Sequence, residues 1–275
     1  MKRLVVVSDW VNDSLTCAEF SSAVLGFLNN PSETKISFVS STPSTIHTSF
    51  LINQLVEVEE RFGRPLETVI LQNTDPRIQT DEPVEKAQGA KFLVIRLQSG
   101  IYLCGPNAGY DFSMIKDRID EVFVYEGFDK GSQFRSRDLY SRICAHLMEA
   151  MEDELDLEEV AVDIIPDLRG FYIGHIDNFG NIKTTITKED LKGKVEYREI
   201  FKVKIGKVIK KVKYVDNLFG GVPGELVIYP GSSGKKDNPY LEISVWRHFN
   251  EKKPTTGKDE FLNPKVGTKI DLLFE

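Results

Sequence analysis

At 275 residues, 41% of them hydrophobic and 28% charged, the chain has ordinary globular composition and material for one or two compact cores. A formal charge of -7 argues against a general nucleic-acid binder, because phosphate contacts need a basic face. No apolar run approaches the roughly 20 residues that cross a bilayer, and the opening MKRLVVVSDW reaches an aspartate too soon for a secretory leader. A cytoplasmic protein with no nucleic-acid or membrane partner is expected. Cys17, Cys104 and Cys144 are scattered and lack any CxxC or Cys/His spacing, so neither disulfides nor a metal site is expected.

In chain order, the first half reads as strands alternating with helices. RLVVVSD is followed by a helical stretch around Ala18 to Leu28, then KISFVSS, a helix around Thr48 to Phe62, and ETVILQNTD. That order favours a parallel sheet with crossover helices. KFLVIRLQSGIYLCGPN reads as two strands around Ser99-Gly100, and EVFVYEGF adds another. Leu139, Ile143, Leu147 and Met151 repeat every fourth residue and predict an amphipathic helix over Leu139 to Met151. The acidic run EAMEDELDLEEV reads as a solvated helix end and domain connection.

Beyond Pro166 the pattern changes to short strands and turns: FYIGHID, NIKTTIT, a lysine-rich pair, GELVIYP, YLEISVW and KIDLLFE. The expected fold is an α/β domain with a mostly parallel central sheet over 1–165, and a smaller all-β, barrel-like domain over 166–275. In FKVKIGKVIKKVKYV, six lysines from Lys202 to Lys213 largely alternate with apolar residues, as on a solvated strand face or a guarded hairpin edge.

Three strands run into polar residues at their carboxyl ends: Asp9, Asp75 and Asn107. In an open parallel sheet that edge is where ligands bind, and a carboxylate there can accept from both hydroxyls of a ribose. A helix cap is the alternative for Asp9 or Asp13. Gln133-Phe134-Arg135-Ser136-Arg137-Asp138 leads into the amphipathic helix, where Ser136 or Asp138 either caps it or helps to face an anion or substrate. His146 reads as a packed helical histidine. Between two later strands, Asp177, Phe179 and Asn181 bring a carboxylate, an aromatic ring and an amide into one turn. Gly231-Ser232-Ser233-Gly234 offers hydroxyls and backbone donors in a loop.

Taken in order, these segments resemble the S-adenosylmethionine hydroxide adenosyltransferases, the family that includes the bacterial fluorinase and chlorinase. Ser8-Asp9-Trp10 resembles the opening S/T-D-F/L, with Asp13-Ser14 near a second family aspartate. Thr74-Asp75-Pro76 resembles V-D-P, and Gly105-Pro106-Asn107-Ala108-Gly109 resembles G-P-D/N-N-G. Phe134 to Asp138, followed by Cys144-Ala145-His146-Leu147, resembles F-H-G-R-D with a later A-A-H-L. The segment from Ile176 to Ile186 resembles I-D-x-F-G-N-x-x-T-N-I.

The resemblance implies that Asp9 holds the ribose hydroxyls, Asp177 meets the methionine ammonium and Asn181 reads the adenine. Phe179 falls in the aromatic place, and Ser232, beside Ser233, falls where a loop contacts the methionine carboxylate. Asp13, Asn107 and Phe134 complete the substrate-binding set. It further implies a homotrimer with sites between subunits, no cofactor, and S-adenosylmethionine as the ligand displaced at its ribose C5′. Of the residues that orient water in the family, Asp75 matches the aspartate. Glu82 replaces the arginine, with Arg77 nearby to substitute, and Arg135 stands in the histidine position. Arginine stays protonated far above neutral pH and cannot be a general base, which leaves proton acceptance to Asp75. Ser136 takes a place that is serine in the fluorinase. Asp75, Arg135, Ser136 and Arg77 are thus the catalytic candidates. Hydrolysis to adenosine and methionine is the leading expectation, a binding-only or weakened homologue the second, and halide transfer the third.

Overall fold

The computed structural model of the protein describes residues 1–76, 90–127, 134–246 and 255–274. Arg77 and Glu82 lie outside the described residues. Two compact units divide the chain, Met1–Leu168 and Arg169–Glu275.

In the first unit, β1 (Lys2–Ser8) is buried from Leu4 onward, as expected for an apolar strand covered on both faces. The helix α1 (Ser14–Phe27) begins ahead of the expected Ala18, because Asp13 caps it. Then come β2 (Thr34–Ser40), α2 (Thr45–Phe62) and β3 (Thr68–Asn73). Next, β4 (Phe92–Leu97) and β5 (Tyr102–Pro106) pair antiparallel, followed by β6 (Ile119–Tyr125). After α3 (Ser141–Glu149), β7 (Leu157–Val160) completes a seven-stranded sheet of order β2-β1-β3-β5-β4-β6-β7. The strands β2, β1, β3 and β5 run parallel, and β4, β6 and β7 extend the sheet antiparallel.

Helices cover both faces. Phe20 and Val24 of α1 pack with Ile143 and Leu147 of α3 on one side, while Ile52 and Val56 of α2 pack with Ile70 and Leu103 on the other. Each such fully buried side chain contributes about 1.5–3 kcal/mol.

Two local expectations change. The helix expected over Leu139 to Met151 is split into a π-helical turn, Ser136–Tyr140, and α3, which ends where Ala150 turns left-handed at φ 56°. Neither Ser136 nor Asp138 caps it through a side chain. The acidic run is more than a connection. Its Leu157–Val160 segment forms the edge strand β7, paired to β6, with Glu158 and Glu159 in solvent. Charged side chains on an edge strand discourage pairing with other chains.

The second unit contains β8 (Phe171–Ile176), β9 (Ile182–Thr187), the short helix α4 (Lys188–Leu191), β10 (Ile200–Ile205) and β11 (Val208–Tyr214). It continues with β12 (Leu226–Gly234), β13 (Pro239–Val245), α5 (Gly257–Glu260) and β14 (Lys269–Leu273). The strands close as a barrel, β10-β11-β12-β13-β9-β8-β14. Ile182, Val203, Val212, Ile228 and Ile243 fill its interior. The lysine-rich segment is the β10–β11 hairpin, with Phe201, Val203, Ile205 and Val212 buried, and Lys202, Lys204, Lys211, Lys213, Ile200 and Ile209 on the outer side. Lys204 pairs with Asp271, Lys210 with Glu260 and Lys213 with Glu225. Among the described residues, no helix is long and apolar enough to cross a membrane.

One glycine is required by packing at the carboxyl edge of the parallel strands. Gly105, at φ +148°, approaches β3 so closely that a Cβ would stand 2.1 Å from the Gln72 carbonyl oxygen. Gly105→Ala should therefore destabilise the first unit by about 1–3 kcal/mol or more, read as a lower midpoint in urea unfolding.

Candidate functional site

Parallel register aligns the strand ends of the first unit. Ser8 pairs with Ser40 on one side and Asn73 on the other, while Leu71 pairs with Cys104, two residues short of Asn73 and Pro106. Asp9, Asp75 and Asn107 therefore leave the same edge. Asp9 is half-buried, and its carboxyl is raised chiefly by burial, with hydrogen bonds from its own backbone and Ser8 opposing the shift and the charge of Asp75 adding to it. The Ser8 hydroxyl donates to the Asn73 carbonyl at 2.6 Å and lies 3.5 Å from Asp9 Oδ1, which ties β1 to β3 beneath the carboxylate.

Asp75 itself is exposed. The residue before it is anchored: Thr74 Oγ1 meets Ser41 Oγ at 2.9 Å and accepts from Thr48 Oγ1 at 2.8 Å, and its N–H donates to Gln72 Oε1 at 2.8 Å. The Gln72 amide in turn donates to the Pro106 carbonyl, so β3 and β5 are coupled by a side chain at this level. Sequence reasoning missed Ser41, Thr48 and Gln72. Their signal was faint: polar residues within elements otherwise read as apolar.

Ser136 is buried and accepts from Asn73 Nδ2, leaving its own proton to donate elsewhere. The Tyr140 phenol, buried beside it, is raised first by burial. The Arg135 guanidinium pulls it back by charge and a hydrogen bond, and Asp75 adds to the rise. Asp9, Asp75, Arg135 and Ser136 are thus gathered at one end of the sheet. Phe134 packs edge-on to Trp10, with centroids 6.4 Å apart, and Arg137 stacks over the Phe134 ring at 5.5 Å. This gives the edge an aromatic wall next to Asp9.

Asp13 is engaged differently. Its Oδ1 accepts from Leu15 N–H at 3.1 Å and its Oδ2 from the Thr16 hydroxyl at 2.7 Å, so the carboxylate caps α1. Asn107 donates through Nδ2 to the Ile164 carbonyl at 3.0 Å, while its Oδ1 is buried without a partner. His146 lies apart from the edge, with Nδ1 2.9 Å from the Arg142 carbonyl of its own helix.

In the second unit, the turn between β8 and β9 is organised by Asp177. Its Oδ1 accepts from the N–H groups of Phe179 and Asn181, at 2.9 and 3.0 Å, and its Oδ2 from Asn181 Nδ2 at 2.9 Å. Asn181 Oδ1 takes the Ser244 hydroxyl at 2.5 Å. Phe179 stands at the tip, 68% exposed. Gly180, at φ +78°, lies against Thr256, where a Cβ would come within 2.5 Å of the hydroxyl oxygen.

The serine loop is a bulge in β12 opposite β13. Ser232 is exposed, and its N–H and hydroxyl both donate to Glu242 Oε1, at 2.9 and 3.1 Å, while Ser233 is buried. Lys183 reaches Glu242 at 2.6 Å and Ser232 Oγ at 3.0 Å. Tyr229 donates to Glu242 Oε2 at 3.3 Å. Burial, then Glu242, raises the Tyr229 phenol, and Asp177 adds to it; burial, then Lys183, lowers His175. Asp177, Lys183, Ser232, Tyr229 and Glu242 therefore form one polar face of the barrel, of which Lys183, Tyr229 and Glu242 carried no sequence signal.

A further acid emerges on the first unit's edge. Asp111, in the turn after β5, is fully buried, and burial pushes its carboxyl up to about 8, against hydrogen bonds from Ala108 and its own backbone and with a contribution from Asp75. The fold holds a proton that the unfolded chain releases above its ordinary value, 3.8, so this contribution to stability is complete at low pH and is lost as pH rises to about 8. The slope is about 1.4 kcal/mol per pH unit. Asp111→Asn should remove it: relative to wild type, the variant should gain about 4 kcal/mol of unfolding free energy from pH 5 to pH 8, measured by denaturant titration at both.

Residues 171–247 match the S-adenosylmethionine hydroxide adenosyltransferase C-terminal domain. An (R)-S-adenosyl-L-methionine hydrolase from Methanocaldococcus jannaschii is 30% identical over 136 residues, covering 47% of this chain. The match takes in about half of that relative's length, 51%. Among solved structures, an uncharacterized conserved protein from Thermotoga maritima superposes with a TM-score of 0.70 at 18% identity, over 98% of this chain and 99% of the other. A conserved hypothetical protein from Thermus thermophilus does so with a TM-score of 0.63 at 20% identity, over 99% and 100%. Those two share the fold. The second unit is thus similar to the C-terminal domain of the S-adenosylmethionine hydroxide adenosyltransferases, and part of the chain is similar to an S-adenosylmethionine hydrolase.

Proposed function

We propose that this protein binds S-adenosylmethionine and hydrolyses it to adenosine and L-methionine by attack of water at the ribose C5′. The observation that carries this reading is the grouping of Asp9, Asp75 and Ser136 on one sheet edge, with Asp75 exposed and acting by charge on Asp9. In the displacement, a water oxygen bonds to C5′ as the C5′–S bond breaks. Methionine departs as a neutral thioether, and one water proton is released. Positive charge therefore moves from sulfur to the attacking oxygen. A carboxylate on the water side stabilises the transition state more than the ground state, which is the condition for catalysis. Asp75 takes that role and accepts the proton. An anionic nucleophile would instead be repelled by the same carboxylate, which ranks halide transfer last.

In this reading Asp9 holds the ribose hydroxyls, with Trp10 and Phe134 beside it. Ser136, already accepting from Asn73, directs its proton toward the water. Asn107 offers its unpartnered oxygen to a ligand donor. On the barrel, Asp177 receives the ammonium, Asn181 and Phe179 meet the adenine, and Ser232 with Ser233 receives the carboxylate. Asp177 and Asn181 are already braced by the turn and Ser244, so little ordering remains to be done on binding. A homotrimer with sites between subunits is part of the proposal.

A binding-only protein is the second reading. It is favoured by Arg135, which occupies the histidine position and contacts Tyr140, leaving no histidine base there.

Chromatography of the products formed from each sulfonium epimer of S-adenosylmethionine tests the assignment. Wild type should release adenosine and methionine in equal amounts, and Asp75→Asn should lower kcat by about 100-fold or more with little change in binding. Bound but uncleaved ligand over hours would select the binding-only reading, and unaltered turnover in Asp75→Asn would remove Asp75 from the chemistry. Asp9→Ala should weaken calorimetric affinity for adenosine by about 10-fold or more, as expected for losing hydrogen bonds to a charged group; unchanged affinity would exclude the ribose contact.

A further inference from the structure

The polar face of the second unit is assembled around Glu242. Its side chain is buried, and its cross-strand neighbours are Tyr229 on β12 and Lys183 on β9. Glu242 Oε2 accepts from the Tyr229 hydroxyl at 3.3 Å. Oε1 accepts from Lys183 Nζ at 2.6 Å and from both the N–H and the hydroxyl of Ser232, at 2.9 and 3.1 Å. The bulge between Pro230 and Gly234 delivers Ser232 to that oxygen. Gly231 permits the approach, since a Cβ there would stand 2.3 Å from Glu242 Cγ.

Both donors of Ser232 are therefore committed to Glu242. The Ser232 oxygen also accepts, and Lys183 Nζ donates to it at 3.0 Å. A carboxylate arriving at Ser232 finds neither an N–H nor an O–H of that residue to bind, and it meets the negative charge of Glu242 behind. Lys183 removes both obstacles. An ammonium has three N–H donors; two point to Glu242 and Ser232, and the third remains for a ligand. Among the described residues Lys183 is the cation bonded to this group, and its side chain is 16% exposed, next to the exposed Ser232. The face offers the opposite charge as well. Burial lowers His175 first; Lys183 lowers it further and Asp177 opposes, so both charges reach the same ring. A cation and an anion so placed match the two ends of a zwitterionic amino acid.

We propose that Lys183 is the specificity-determining cation of this face: its ammonium receives the ligand carboxylate, and Glu242 and Ser232 are positioning residues that hold it. The proposal rests on the S-adenosylmethionine reading above and refines it, because Ser232 braces the cation rather than donating to the ligand. Lys183 is fixed by a cross-strand partner and a bulge before any ligand arrives, so little ordering accompanies binding. A ligand without a carboxylate forgoes the charge-assisted bond to its third donor.

Calorimetry on the full chain with S-adenosylhomocysteine tests this. That ligand carries the same amino-carboxylate tail on a neutral thioether, and its decarboxylated form and adenosine are the comparisons. Wild type should bind S-adenosylhomocysteine about 10-fold or more tighter than the decarboxylated form. Lys183→Gln, whose amide can still donate to Glu242, should lose that preference and bind adenosine as wild type does, and Lys183→Arg should retain it. A merely structural lysine would weaken all three ligands together, which would overturn the proposal, as would a preference undiminished in Lys183→Gln. A second measurement needs no variant. In lysine-labelled wild-type protein, the NMR signal of the Lys183 carbon next to Nζ should move with S-adenosylhomocysteine and not with the decarboxylated form; equal movement with both would overturn the proposal. Equal wild-type affinity for the two would defeat the role of Lys183 and leave the S-adenosylmethionine reading standing, whereas failure to bind either of them or adenosine would defeat both.

Discussion

Parallel register is the constraint on which the rest of the first unit's edge depends, because it sends β1, β3 and β5 out at one level. Asp9 and Asp75 leave at that edge, Asp111 follows in the turn after β5, and burial rather than charge is the first cause of the rise at Asp9 and Asp111. Asp75 stands in solvent, half-burial raises Asp9, and full burial raises Asp111 to about 8. One residue type thus meets three depths of burial along a single edge.

Holding those depths requires a rigid frame, and it is built from parallel register. Ser8, Ser40 and Asn73 are level with one another, and small polar side chains bind each strand end to the next. Ser8 bonds to Asn73, Thr74 to Ser41 and Thr48, and Gln72 to Pro106. Gly105 lets β5 approach Gln72 closely enough for the last of these. These interactions place hydrogen-bonded polar groups beside Asp9 and next to Asp75 in the chain, in place of an apolar layer.

The barrel solves a different problem. Its polar face carries both signs of charge, and nearly every group has its bonding satisfied by another: Asp177 within its own turn, Asn181 by Asp177 and Ser244, Glu242 by Lys183, Ser232 and Tyr229. Lys183, Glu242 and Tyr229 are cross-strand neighbours on β9, β13 and β12, so sheet pairing alone brings them together. Such a face is ordered before any ligand arrives, whereas Phe179 remains exposed at its tip.

The sequence by itself determined the alternation of strands and helices, the change to an all-β pattern near Pro166, and the strand-end aspartates, because these depend on local periodicity and contiguous motifs. It also offered a cap for α1 and a role at the site for the same Asp13, and only the three-dimensional bonds to Leu15 and Thr16 made it a cap. Periodicity could not show that Leu139 belongs to a π-helical turn rather than to α3, nor that Glu158 and Glu159 lie on an edge strand. Tertiary structure alone decided the pairing of Lys183 with Glu242, the anchoring of Thr74, and the burial of Asp111. Each joins residues distant in the chain or depends on how much water is excluded, and neither quantity is written in the neighbours of a single residue.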